Sequence, residues 1–123
     1  MFAFCEQGFR NEVFVRMFSR RLAPGSEIKR LGRKFDLIHF VMEGRVNMVD
    51  EDGLCIASFP SGSIIGDYQI LFGLRSIFDY SAAEDDECEH LHFLAIEQDD
   101  FNDLLELYPN TREALQDVCL LKR

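Results

Sequence analysis

From Met17 onward the chain is punctuated by turn formers, Pro24-Gly25, Gly32, Gly44, Asp52-Gly53, Pro60 with Gly62, and Gly66, spaced mostly about 7 to 12 residues apart. Short β-rich segments lie between them, and that rhythm predicts an antiparallel barrel or sandwich. Ile38 to Val41 is nearly continuous apolar sequence ending at Glu43-Gly44. Val46 and Met48 then alternate with Arg45 and Asn47, and Asp52-Gly53 is the tip of a hairpin. Leu54, Ile56 and Ser58 share one face of the return strand, which Pro60 ends because it has no donor for the ladder. A last strand runs from His90 to Ile96.

Helical periods flank this region. Phe2, Cys5, Phe9 and Val13 space a first helix over Phe2 to Phe14, weakened by Gly8. A second starts near Asp99, with Asp99 or Asp100 as cap and Phe101, Leu104, Leu105 and Tyr108 as its stripe, and Pro109 stops it. Asn110 or Thr111 caps a last helix that carries Leu115, Val118 and Cys119 on one face, the natural lid over whatever the strands enclose. The predicted order is helix, barrel, two helices.

At 123 residues and 47% hydrophobic content the chain is one domain with a single core. Cys5, Cys55, Cys88 and Cys119 form no CxxC pair and follow no secretion signal, which fits reduced thiols in a cytosolic setting. Apolar runs such as Phe93 to Ile96 are far shorter than the roughly 20 residues that span a bilayer. The abrupt start inside a helix and the end at Lys122-Arg123 suggest a fragment of a larger protein. The net charge is −9. Arg16, Arg20, Arg21, Lys29, Arg30, Arg33 and Lys34 crowd the N-terminal third, whereas Arg75 is the single cation between Asp50 and Glu106. The acidic part excludes a nucleic-acid partner, and the basic third reads as a solvated face of strands.

The stretch Gly62 to Ala82, GSIIGDYQILFGLRSIFDYSA, is where chemistry concentrates. A tight turn at Gly66-Asp67, a short apolar segment from Tyr68 to Phe72 and a new strand entered near Tyr80 suit capture of a small anion, since free amides at a helix start attract negative charge.

The run Ala23-Pro24-Gly25-Ser26-Glu27-Ile28, then Gly32, Phe40 to Val46, Asp52-Gly53, Phe59 to Asp67, and Phe101 to Pro109 resembles the cyclic nucleotide-binding domain superfamily over Met17 to Leu115. The resemblance implies a mainly β fold with flanking α-helices: an antiparallel jelly-roll β-barrel (double-stranded β-helix) with one N-terminal and two C-terminal helices. It also implies a phosphate-binding cassette at Gly66, Asp67, Tyr68, Tyr80, Ser81 and Ala82. Binders of cAMP or cGMP in this family begin the cassette with Gly-Glu and end it with Arg-Ser/Thr-Ala or Arg-Ala-Ala. Here the pairs are Gly66-Asp67 and Tyr80-Ser81-Ala82, so the phosphate-pairing arginine is a tyrosine, or a serine if the alignment slips by one. Asp79 stands beside the site, and Arg75 is the substitute cation within a cassette longer than usual. Losing a charge-assisted contact weakens binding by roughly tenfold to a hundredfold. Tyr80 is the expected pocket filler, as in the ligand-free homology domains of channels.

The expectation is a non-catalytic regulatory domain on the cytoplasmic side of an ion channel, with no resident cofactor, partnered by transmembrane channel subunits and oligomeric through them. A cAMP- or cGMP-regulated module of a channel or a kinase is the alternative. A third reading, a cupin-like metal enzyme, rests on His90-x-His92 with Glu97, but His39 lies in a different pattern. The run Glu84 to Glu89 reads as a solvated acidic loop and Asp50 to Gly53 as a hairpin tip too short for calcium. Ser61, Ser63 and Ser81 have no companion base, so catalysis is not expected.

Overall fold

Two seven-residue strands, β3 (Leu37–Glu43) and β8 (Leu91–Glu97), pair antiparallel along most of their length and form the spine of the molecule. The computed structural model describes residues 5–84 and 90–122. Cross-strand partners share a face, so His39 with Ala95 and Val41 with Phe93 look one way, while Ile38 with Ile96 and Phe40 with Leu94 look the other. Apolar residues at both parities mean that both faces must be covered.

β1 (Phe18–Leu22) and β6 (Ile64–Ile65) complete this sheet in the order β1-β8-β3-β6. The second sheet has the order β2-β7-β4-β5, from β2 (Glu27–Lys29), β7 (Asp79–Ala82), β4 (Val46–Val49) and β5 (Cys55–Phe59). All pairings within the two sheets are antiparallel. The jelly roll therefore takes its two-sheet form, without a closed ladder among the described residues. Register shifts between Glu27 and Lys29, Val41 and Glu43, and Met48 and Val49 bend the strands. The crossings are tied by bonds at turns, such as Gly25 N–H to the Ala82 carbonyl at 2.8 Å and Gly62 N–H to the Val41 carbonyl at 2.8 Å. Gly25, Gly32, Gly44, Gly53, Gly62 and Gly66, the predicted turn glycines, all have positive φ.

The inner faces bury Val41, Val46, Tyr80, Ala82, Phe93 and Ala95. The outer face of the first sheet is covered by α1 (Gln7–Arg16) and α3 (Gln98–Leu107). Phe9 of α1 meets Phe101 and Tyr108 edge-on, at centroid distances of 6.2 and 5.6 Å. Gly8 is what admits Tyr108: a Cβ there would stand 2.8 Å from the tyrosine hydroxyl. The residue that weakens the helix thus tightens its packing.

The helix ends differ from the sequence expectation. Helix α1 runs Gln7–Arg16, later than Phe2 to Phe14, and residues 1–4 lie outside the described part. Glu97 occupies the N-cap of α3, which places Asp99 and Asp100 in its first turn, where they favour the positive end of the helix dipole. Pro109 follows the Tyr108 C-cap of α3 and is the first residue of α4 (Pro109–Lys122), because a ring-locked φ and missing donor suit a first helical position. Asn110 and Thr111 are therefore inside α4 and do not cap it. On β5 the half-buried residues are Ala57 and Phe59, so Leu54 and Ile56 share an outward face, 65% and 44% exposed. Among the described residues no helix is long and apolar enough to cross a membrane.

Candidate functional site: the Gly66–Ala82 cassette

The cassette opens at Gly66, whose left-handed backbone (φ 97°, ψ −9°) turns the chain from β6 into the six-residue helix α2 (Asp67–Phe72). Only glycine fits, because a Cβ would lie 2.7 Å from the Leu37 carbonyl oxygen and 2.9 Å from the Phe35 ring. Asp67 follows in the first turn and is buried. Its Oδ2 accepts the Cys119 thiol of α4 at 3.5 Å. At the other end of α2, Gln116 Nε2 of α4 donates to the Leu71 carbonyl at 3.0 Å, satisfying one of the carbonyls a short helix leaves open. Leu115 and Cys119 are buried and Val118 half-buried in this contact region. Helix α4 thus docks on α2, with Asp67 engaging it.

Tyr68, on the next position of α2, lines a cavity of about 260 Å³ with Met48, Phe59, Arg75, Phe78 and Tyr80. Along β7, Tyr80 and Ala82 are buried on the inner side, whereas Asp79 and Ser81 alternate outward. Tyr80 packs edge-on against Phe35, centroids 5.3 Å apart at 70°. Position 80 therefore faces the cavity and position 81 faces away. Asp79 differs from the expectation of a residue crowding the site. Its carboxylate accepts the Leu31 amide at 2.7 Å, which holds the β2–β3 loop.

The extra length of the cassette is fastened to that loop. Lys34 and Arg75 form an isolated antiparallel bridge. Ser76, buried, accepts Gly32 N–H on its carbonyl at 2.6 Å, donates its own N–H to Arg33 at 2.8 Å, and sends its hydroxyl to the Phe78 carbonyl at 2.5 Å. Arg75 is exposed, lines the cavity, and donates from Nη1 to the Gly32 carbonyl at 3.2 Å. Phe35, Ser76 and Gln116 were not singled out by sequence reasoning. For Gln116 a signal existed, since it shares the helical stripe of Leu115 and Cys119.

The histidines are not gathered into a site. His92 Nε2 is 2.8 Å from the Ser19 hydroxyl, and His90 is exposed ahead of β8. Glu97 lies at the far end of β8 with opposite parity to His92. His39 is buried beneath Phe93, rings 4.6 Å apart, and its Nδ1 has no hydrogen-bond partner among the described residues. Burial disfavours the imidazolium and lowers its pKa to about 4. Among the described residues no three His, Cys, Asp or Glu side chains converge as metal ligands. Most of the acidic run, residues 85–89, lies outside the described part. In the basic third, Lys29 pairs with Asp36 at 3.1 Å, Arg30 with Glu27 at 2.8 Å, and Arg16 with Glu12.

This geometry has counterparts among known proteins. No family model matches the chain. The potassium channel GORK of Arabidopsis thaliana is 25% identical over 112 residues, covering 88% of this chain and 13% of that protein's length. The C-linker/CNBHD of zELK channels, crystallized in the presence of cAMP, superposes with a TM-score of 0.81 at 18% identity, covering 94% of this chain and 57% of the other. The regulatory domain of Toxoplasma gondii PKA with cAMP gives 0.77 at 16% identity, covering 98% and 44%. The regulatory subunit of a cAMP-independent protein kinase A from Trypanosoma brucei gives 0.68 at 17%, covering 91% and 41%. The chain spans about an eighth of the curated relative it matches.

Proposed function

We propose that this chain, whose fold is that of the cyclic nucleotide-binding domains, is a regulatory homology domain of an ion channel that binds cyclic nucleotides weakly or not at all. The observation that carries this reading is Tyr80, buried and facing the cavity, where the resemblance places the phosphate-pairing arginine. Its ring rests edge-on against Phe35, and the cation opposite it in register, Lys29 on β2, is paired with Asp36. Asp67, the counterpart of the ribose-contacting acid, is engaged by Cys119 instead. A domain built this way acts through the position of α4, which Gln116 and Cys119 hold against α2 without help from a ligand. The similarity to a potassium channel over most of this chain favours a place on the cytoplasmic side of channel subunits, with oligomerisation through the parent protein.

Arg75 favours a second reading, a working cAMP or cGMP sensor of a channel or kinase, because it lines the same cavity as Tyr68 and Tyr80. Its guanidinium would have to leave the Gly32 carbonyl to meet a phosphate. Titration of the domain with fluorescent cAMP and cGMP separates the two. The homology-domain reading predicts no saturable binding at micromolar ligand, and saturable micromolar binding that Arg75→Ala removes would establish the second in its place.

A further inference from the structure

On the outer face of the first sheet, away from the cassette, α1 leaves part of the apolar surface uncovered. The groove has a volume of about 470 Å³ and is walled by Val13, Phe14 and Met17 on one side and by Phe40, Ile64 and Leu94 on the other. That volume lies in the range of small-molecule sites. Phe14 is 71% exposed and Met42, at the open end, 47%. An apolar surface of this kind stays wet at a cost of roughly 25 cal/mol per Å² relative to being covered.

Two polar side chains border the groove, Ser63 and Arg10. Arg10 begins the α1 stripe 10, 13, 14, 17, which extends roughly 10 Å at the helical rise. Its Nε is buried and has no hydrogen-bond partner among the described residues. Nearby Arg16, by contrast, is paired with Glu12. Arg10 as a whole is only partly buried and lines the groove, and a carboxylate is the best complement to a guanidinium at an apolar rim. A docked protein helix would bring a polar perimeter needing about one hydrogen bond per 100–200 Å², whereas this rim offers one cation and one hydroxyl. We propose that the groove binds a free, single-chain aliphatic carboxylate, with its head on Arg10 and its tail along Phe14, Met17, Phe40 and Leu94.

The test uses sub-micellar dodecanoate and, as its cationic counterpart, dodecyltrimethylammonium, titrated calorimetrically into the 123-residue protein. The expected result is saturable one-to-one binding of dodecanoate, at least tenfold tighter than the ammonium analogue. Arg10→Gln is expected to weaken it tenfold to a hundredfold, Arg10→Lys less, and Leu94→Trp to block it by filling the groove, with far-UV circular dichroism confirming that each variant is folded. Equal affinity for both amphiphiles, or indifference to Arg10→Gln, would reduce the groove to a nonspecific apolar patch and overturn the proposal. So would binding to anionic vesicles without binding of monomeric dodecanoate, or self-association of the protein that Leu94→Trp abolishes.

Discussion

Acidification should destabilise this domain through the buried His39. The residue is 4% exposed, and burial lowers its pKa from 6.5 to about 4. Above pH 6.5 the ring is neutral in both the folded and unfolded chain and contributes no pH dependence. Between about 6.5 and 4 the unfolded chain takes up a proton that the folded chain refuses, so stability falls as pH falls. At 1.36 kcal/mol per pKa unit, the loss reaches about 3 kcal/mol at pH 4 and levels off below it. That is a large share of the 5 to 15 kcal/mol typical of a domain. Asp36 adds a loss of the same sign at lower pH: burial pushes its carboxyl up, but the Lys29 hydrogen bond and charge outweigh this and leave its pKa lowered. Comparing the protein with His39→Leu isolates the histidine. Urea unfolding followed by far-UV circular dichroism, run from about pH 7.5 to 4, should show the parent losing about 3 kcal/mol more than the variant. Parallel pH profiles for the two proteins would refute the reasoning.

Two substitutions probe the cassette itself. Tyr80→Arg returns a cation to the position that faces the cavity and should raise affinity for fluorescent cAMP tenfold to a hundredfold, while lowering the melting temperature because the guanidinium replaces a ring packed on Phe35; unchanged affinity in a folded variant would remove the missing arginine as the cause of weak binding. Gly66→Ala forces a Cβ against the Leu37 carbonyl at 2.7 Å and strains a φ of 97°, so a loss above about 2 kcal/mol is expected in denaturant unfolding, whereas Gly53→Ala, which meets nothing within 4 Å, should lose less.

What the sequence disclosed follows from the range over which its signals act. Turn glycines report a local backbone demand, so the β rhythm and the hairpin at Asp52-Gly53 could be read directly. The resemblance then supplied the jelly roll, since turn spacing alone leaves barrel and sandwich undecided. Helix ends were read less well, because Asp99, Asn110 and Thr111 are all plausible caps and only the path of the chain into the helix selects Glu97 and Pro109. At the site, the absence of arginine at position 80 was legible, but the direction of each side chain was not. Asp79 and Tyr80 are neighbours in sequence and face opposite sides of β7, one bonded to Leu31 and the other edge-on against Phe35. Gln116 and Cys119 are brought to opposite ends of α2 by contacts dozens of residues apart along the chain, which no local pattern encodes.

Under the proposed function, the docking of α4 on α2 also sets how sensitive the domain can be as a switch. Two neutral or singly charged hydrogen bonds, from Gln116 and Cys119, contribute together about 1 to 3 kcal/mol. Taken alone, a bias of about 2 kcal/mol would leave the helix released in roughly one molecule in thirty. A few kcal/mol from a neighbouring subunit or a bound molecule is then enough to invert the populations. Burial of Leu115 and Cys119 adds to that hold, and under the proposed function an input that acts on α4 need never enter the cavity beneath Tyr80.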